Sequence, residues 1–302
     1  MKSISVKNGF GIGLIIFAVA AIIALPLRTV QYFTTIEAET GFYSSVDWSV
    51  YLLAAVLAVA VIAILAFGIA KRKKLEYSLE VVKRPGCGVL SMACAAGILM
   101  SSARRIIDFM DLIEKNSQVV IHTAEAEASK SPAFVPCAEA IFGILSAMYL
   151  FALGFALLSG KTNGSEFRLI SLSPVVWCIF RMISKFLNTI SYIRVSDLAI
   201  EMIMIAFMIL FFMAFAQVNS RVNSKGLDWK IAAYGLPAAL LAIVCFVPRF
   251  IVTLSGNSLL LSQYARVEYC DFGIALFIIA TVATRVVDKI KAVPETAAEE
   301  KE

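Results

Sequence analysis

Uninterrupted apolar stretches about as long as a lipid bilayer is thick constrain this chain more than any other feature. One of them runs from Val56 to Leu65 without a single polar residue. Because a helix crosses the ~30 Å hydrocarbon core in about 20 residues, such runs predict membrane-spanning helices. The strands of a transmembrane barrel would instead alternate apolar and polar residues, and only helices or closed barrels satisfy the backbone in lipid.

Composition excludes several other classes of protein. Of the 302 residues, 60% are apolar and 16% are charged, against about 45–50% and about 25% in soluble domains. These values are not those of a disordered chain, a nucleic-acid-binding protein or an ordinary soluble enzyme. We therefore expect the lipid bilayer as a partner and no nucleic acid.

The apolar runs predict an all-α fold, a polytopic transmembrane helix bundle of about eight spans. We expect residues 1–291 to form a single transmembrane helical domain and residues 292–302 a short, disordered acidic tail in the cytoplasm. The predicted spans are Gly9–Leu27, Ser49–Ala70, Gly88–Ile107, Phe134–Leu158, Leu172–Ile190, Leu198–Val218, Ile231–Val252 and Phe272–Val287.

Basic residues indicate the orientation of these spans. Lys and Arg concentrate on the cytoplasmic side of membrane proteins. With the N-terminus placed inside, 17 of the 27 Lys and Arg residues fall in inner segments, among them the run 71–74. Eight spans then bring both termini to the cytoplasm, and we expect the protein in the cell (plasma) membrane.

A weak repeat accompanies the spans. An Arg stands near the predicted outer end of every odd-numbered span, at Arg28, Arg105, Arg181 and Arg249, with separations of 77, 76 and 68 residues. Each even-numbered span opens with an acid. This pattern is consistent with four repeated helical hairpins in the same orientation, the kind of internal symmetry found in transporters.

The charges of the repeat predict a polar vestibule in the outer half of the bundle. A charge within hydrocarbon is costly, so such residues face the bundle interior or a wet cavity and are paired. Residues three or four apart share a helix face, which adds neighbours of the repeated positions. The candidate ligand-binding residues are Arg28, Arg105, Asp108, Glu139, Arg181, Lys185, Glu201, Arg249 and Asp271.

Two interpretations of these charges stay open at this level. In the first, each Arg pairs with the acid of its own hairpin and closes the helices at the rim. In the second, the Arg side chains bind an anionic or zwitterionic small molecule, since a guanidinium binds carboxylate or phosphate bidentately. The second predicts that Arg105→Ala and Arg181→Ala abolish uptake or binding but leave membrane insertion intact.

Catalytic patterns do not emerge from the sequence. The chain has one histidine, His122, and six scattered cysteines without a CxxC pair, which is too sparse for a zinc site or a His-based triad. We therefore expect no metal, no cofactor and no enzymatic activity. The favoured function is a transporter-like or ligand-binding membrane protein. The alternatives are a non-catalytic scaffold or subunit that binds other membrane subunits and, less favoured, an intramembrane lipid-modifying enzyme.

Overall fold

A computed structural model of the chain describes ten stretches, and every structural statement below concerns these residues. They are residues 9–37, 43–44, 47–70, 84–119, 134–160, 169–188, 195–219, 228–257, 260–261 and 267–299. His122 and the basic run 71–74 lie outside them.

The described residues form eight α-helices, and this confirms the predicted all-α class. An isolated β-bridge joins Ile36 to Tyr43, and one turn of 3-10 helix, Ile170–Leu172, precedes the fifth α-helix. The helices are α1 (Gly9–Thr34), α2 (Trp48–Ala70), α3 (Pro85–Val119), α4 (Phe134–Ser159), α5 (Ser173–Asn188), α6 (Val195–Asn219), α7 (Asp228–Leu254) and α8 (Tyr269–Glu299).

The helices are those of a multi-pass membrane protein. Within the described ranges, α1 to α7 each contain a segment long and apolar enough to cross a bilayer, and α8 contributes the shorter apolar segment Tyr269–Thr284. Several boundaries differ from those we predicted, and three helices differ most. α1 continues past Leu27 to Thr34. α3 continues past Ile107 to Val119, and α8 is helical to Glu299, through most of the segment expected to form a tail.

Six helices close a ring. From α3 to α8 each helix packs against the next, and α8 returns to pack against α3. The side chains buried between them are mostly apolar, and Trp177, Phe211 and Phe277 are among the largest of them. The hairpin of α1 and α2 lies outside this ring, where both helices contact α7.

Burial separates the central helix from those that face lipid. In α7, 78% of the most apolar window is buried, whereas the corresponding value is 28% in both α1 and α2. The exposed side chains on the outer helices are large and apolar, for example Ile22, Val59 and Ile62. Exposed side chains of this kind are stable against hydrocarbon, so α1 and α2 present a lipid-facing surface.

The predicted outer charges meet at one end of the bundle. Ion pairs and hydrogen bonds there join the C-terminal halves of α1, α3, α5 and α7 to residues in the first two turns of α2, α4, α6 and α8. We call this the charged end. The distribution of basic residues predicts that the charged end faces the outside of the cell, and this orientation stays a prediction.

Glycines allow the closest helix contacts. A Cβ atom added to Gly88 on α3 would lie 2.8 Å from the carbonyl oxygen of Gly154 on α4. Between α3 and α8, Gly97 lies against Cys270 and Gly273 against Cys94, with added Cβ atoms 3.1 Å from the facing Cα in both cases. Small residues let membrane helices approach in this way, and here they draw α3 towards both of its neighbours.

Substitution of Gly88 tests this packing. In Gly88→Ala the new methyl group meets the α4 backbone, so we expect a loss of about 1–3 kcal/mol in the free energy of unfolding, measured in detergent. Gly86→Ala is the matched control, because an added Cβ there has nothing within 4 Å. Equal stability of the two variants would show that α3 and α4 do not pack as closely as described.

Candidate functional site

The charged end holds four cations and four carboxylates at the mouth of the six-helix ring. Its cations are Arg105, Arg181, Lys185 and Arg249, and its carboxylates are Glu139, Glu201, Glu268 and Asp271. Seven of these eight residues are among the predicted site residues. The exception is Glu268, which lies just before α8. The charges of these eight residues balance, which lowers the cost of keeping them beside lipid. A fifth carboxylate, Asp108, also pairs with Arg105 but is partly exposed.

The second hairpin pairs within itself. Arg105 Nε donates to Glu139 Oε1 at 2.9 Å, and Arg105 Nη1 lies 3.3 Å from Asp108 Oδ2 one helical turn away. Glu139 is completely buried, whereas the Asp108 side chain is 42% exposed. This hairpin therefore fits the first interpretation, in which an Arg closes the rim with the acid of its own unit.

The third and fourth hairpins exchange their arginine partners. Arg181 of the third donates to Asp271 of the fourth at 2.6 Å, and Arg249 of the fourth donates to Glu201 of the third at 2.6 Å. The own-hairpin pairing is therefore wrong for both arginines. The exchange ties α5 to α8 and α7 to α6.

Glu201 is shared between two cations. Its Oε2 accepts a hydrogen bond from Lys185 Nζ at 2.6 Å, while its Oε1 accepts the one from Arg249. A single carboxylate thus joins α5, α6 and α7 at the charged end.

Arg28 lies in a neighbouring cluster between α1 and α7. Its Nη1 donates to Gln31 Oε1 at 2.9 Å and to the Tyr43 hydroxyl at 2.6 Å, and its guanidinium lies over the Tyr32 ring at 4.9 Å. Arg249 Nε in turn donates to the Tyr32 hydroxyl at 3.1 Å. Tyr32 therefore connects Arg28 to the main cluster.

Arg181 is the most deeply buried cation of the cluster. It has no solvent-exposed surface, and its guanidinium carbon lies 5.4 Å from the centre of the Trp177 ring. Its Nη1 is bonded to Asp271, but its Nε and Nη2 have no hydrogen-bond acceptor within the described part of the chain. These two nitrogens form one edge of the guanidinium, the fork that binds a carboxylate bidentately.

A second buried polar atom in the cluster also lacks a partner. Glu139 Oε1 accepts from Arg105, whereas Glu139 Oε2 has no donor among the described residues. Buried polar atoms in native proteins are bonded in the large majority of cases. The unpaired edge of Arg181 and the unpaired oxygen of Glu139 therefore mark the part of the cluster best suited to receive a polar ligand.

Glu268 was missed in the sequence because it precedes the apolar run of α8. Burial disfavours its ionised form, but the positive charges of Arg181, Lys185 and Arg105 outweigh that effect and hold the pKa of this carboxyl below its ordinary value of 4.5. Glu268 is therefore ionised at neutral pH, and it supplies the charge that balances the four cations.

Metal chemistry has no support in this region. No group of three or more His, Cys, Asp and Glu side chains is arranged for a metal ion within the ranges that the structure describes. The six cysteines are free thiols. What the cluster offers is recognition of charge and of hydrogen-bonding geometry.

Comparison with known proteins gave no match: no protein-family model, no curated protein and no solved structure is similar to this chain.

Removal of one acid tests the exchanged pairing. Asp271→Asn leaves the buried Arg181 without its counter-charge, so we expect a loss of about 3–5 kcal/mol in the free energy of unfolding. Asp108→Asn removes the same charge from an exposed residue and should cost less than about 1 kcal/mol. Similar losses in both variants would contradict the burial described for the Arg181–Asp271 pair.

Acid titration tests the environment of Glu268. Because its pKa is lower in the folded protein than in the unfolded chain, its ionisation stabilises the fold above about pH 4.5, and this contribution is lost as the pH falls through the folded value. Unfolding temperatures measured from about pH 7 to about pH 3 should therefore fall less steeply for Glu268→Gln than for the unmodified protein. Parallel curves would contradict the assignment.

Proposed function

We propose that this membrane protein is a transporter-like binding protein for a small carboxylate-bearing molecule, anionic or zwitterionic, which it binds at the charged end. The observation that carries the proposal is the unpaired Nε–Nη2 edge of the fully buried Arg181. A carboxylate supplies two coplanar oxygens at the spacing of that edge, so it satisfies both donors at once.

Electrostatics around Arg181 supports an anion at this position. Arg105 and Arg181 both contribute positive charge to this part of the cluster, and that charge attracts an anion bound at the unpaired edge of Arg181. Because Arg181 is completely buried and solvent screens its charge little, a charge-assisted hydrogen bond to it is stronger than one at a surface. The Trp177 ring closes one side of the guanidinium and holds its plane in a fixed orientation.

The exchanged ion pairs suggest how binding is coupled to movement. Arg181–Asp271 ties α5 to α8, and Lys185 and Arg249 tie α5 and α7 to α6 through Glu201. A carboxylate on the Nε–Nη2 edge shares the Arg181 charge with Asp271, which stays on Nη1. Binding therefore weakens the attraction that ties α8 to α5, and the helices at the charged end can then shift relative to each other.

A structural role is the second candidate function, and one observation favours it. The Arg105–Glu139 pair closes its own hairpin, as expected of rim ion pairs in a scaffold or a subunit of a larger membrane complex. In that case the substitution of Arg181 changes stability and leaves no binding activity to measure, so one experiment separates the two functions.

Binding measurements on Arg181→Lys test the proposal. Lysine keeps the positive charge beside Asp271 but cannot present a planar two-donor edge, so we expect the Kd for carboxylates to rise at least about tenfold, which is about 1.4 kcal/mol. The probes are mono- and dicarboxylates and α-amino acids, each tested by calorimetry or by the ligand-induced rise in unfolding temperature of the purified protein.

Arg104→Lys is the matched control. Arg104 is the half-buried neighbour of Arg105, and its Nη1 donates to the Val267 carbonyl oxygen at 3.4 Å, outside the set of paired charges. Its replacement should leave the Kd unchanged. Failure of every probe to bind, or equal affinity in a folded Arg181→Lys variant, would overturn the proposal and leave the structural role.

A further inference from the structure

We infer that the ligand is a compact zwitterion, with its carboxylate on Arg181 and its ammonium group on Glu139, as in an α-amino acid. This inference rests on the proposed function and extends it, because Arg181 alone selects only for the carboxylate. The additional observation is the unpaired Oε2 of the buried Glu139. A carboxylate oxygen accepts hydrogen bonds and carries negative charge, so its complement is a cationic donor.

Helix geometry places the two groups at the same depth. Gly143 on α4 faces Trp177 on α5, and a Cβ added to Gly143 would lie 3.1 Å from Trp177 Nε1. Glu139 is one helical turn from Gly143, and Arg181 is one turn from Trp177. Because both turns lead towards the charged end, Glu139 and Arg181 lie level with each other on neighbouring helices.

The separation of the helices limits the size of the ligand. Packed helices lie about 8–10 Å apart, at the lower end where small residues form the contact, and Gly143 is the small residue here. Because Glu139 and Arg181 lie level on helices that pack this closely, we infer a small molecule whose carboxylate and ammonium groups are separated by one carbon atom or a few.

Two ion pairs lie at this level of the bundle. Arg105–Glu139 spans α3 and α4, Arg181–Asp271 spans α5 and α8, and these helices pack in the order α5, α4, α3, α8. The unpaired edge of Arg181 and the unpaired Oε2 of Glu139 belong to opposite pairs. A zwitterion between them completes both hydrogen-bonding sets and adds no net charge to a cluster that is already balanced.

A ligand series on the unmodified protein tests the inference without any substitution. Each common L-α-amino acid is compared with its amide, which lacks the carboxylate, and with its deaminated acid, which lacks the ammonium group. For at least one side chain we expect the amino acid to bind at least about tenfold more tightly than either analogue. Equal affinity for the amino acid and its deaminated acid would overturn the inference.

The variant Glu139→Gln tests whether Glu139 binds the ammonium group of the ligand. Removal of the negative charge should reduce the preference for the amino acid over its deaminated acid about tenfold and leave the affinity for the deaminated acid nearly unchanged. Asp111→Asn is the matched control, since it removes an equal charge from an exposed position on α3 outside the proposed site. An unchanged preference in folded Glu139→Gln would contradict the role of Glu139.

The outcomes separate this inference from the proposed function. If deaminated acids bind as tightly as amino acids and Arg181→Lys weakens both, carboxylate binding stands and the zwitterion is excluded. If neither class binds, both proposals fail.

Discussion

The cost of a charge in hydrocarbon governs the structure of this bundle. Eight charged side chains lie at one end of the six-helix ring, and an unpaired charge deep in hydrocarbon opposes membrane insertion by about 2.5–3.5 kcal/mol on insertion scales. They are tolerated because each lies beside a charge of opposite sign. The positions of the helices are therefore set by two requirements, close contact of small residues in the apolar part and neutralisation of charge at the end.

Two of the ion pairs join different hairpins, and this links the hairpins to one another. If every Arg were paired within its own hairpin, the hairpins would be independent units that meet only through apolar contacts. Arg181–Asp271 and Arg249–Glu201 instead join successive hairpins, so that a change in one pair alters the contacts of the next. In the function proposed above, a bound ligand with charges of its own would shift the balance among these shared ion pairs.

The sequence predicted the helices and the residues of the charged end, but not how those residues pair. Apolar runs and the recurrence of Arg28, Arg105, Arg181 and Arg249 depend only on local pattern, and that pattern was sufficient. The partners of Arg181 and Arg249 depend on which helices pack together, which is set by contacts such as Gly97 with Cys270. Glu268 was missed for a related reason, since only the folded ring brings it near three cations.

The central claim is that the free edge of Arg181 is a carboxylate site. An experimental structure determined at saturating concentration of a carboxylate probe that binds tests it most directly, at a resolution sufficient to place individual oxygen atoms. The account predicts that the two carboxylate oxygens lie within hydrogen-bonding distance of Arg181 Nε and Nη2, with Asp271 still on Nη1 or displaced from it. A probe bound elsewhere, with that edge bonded to protein or water alone, would contradict it.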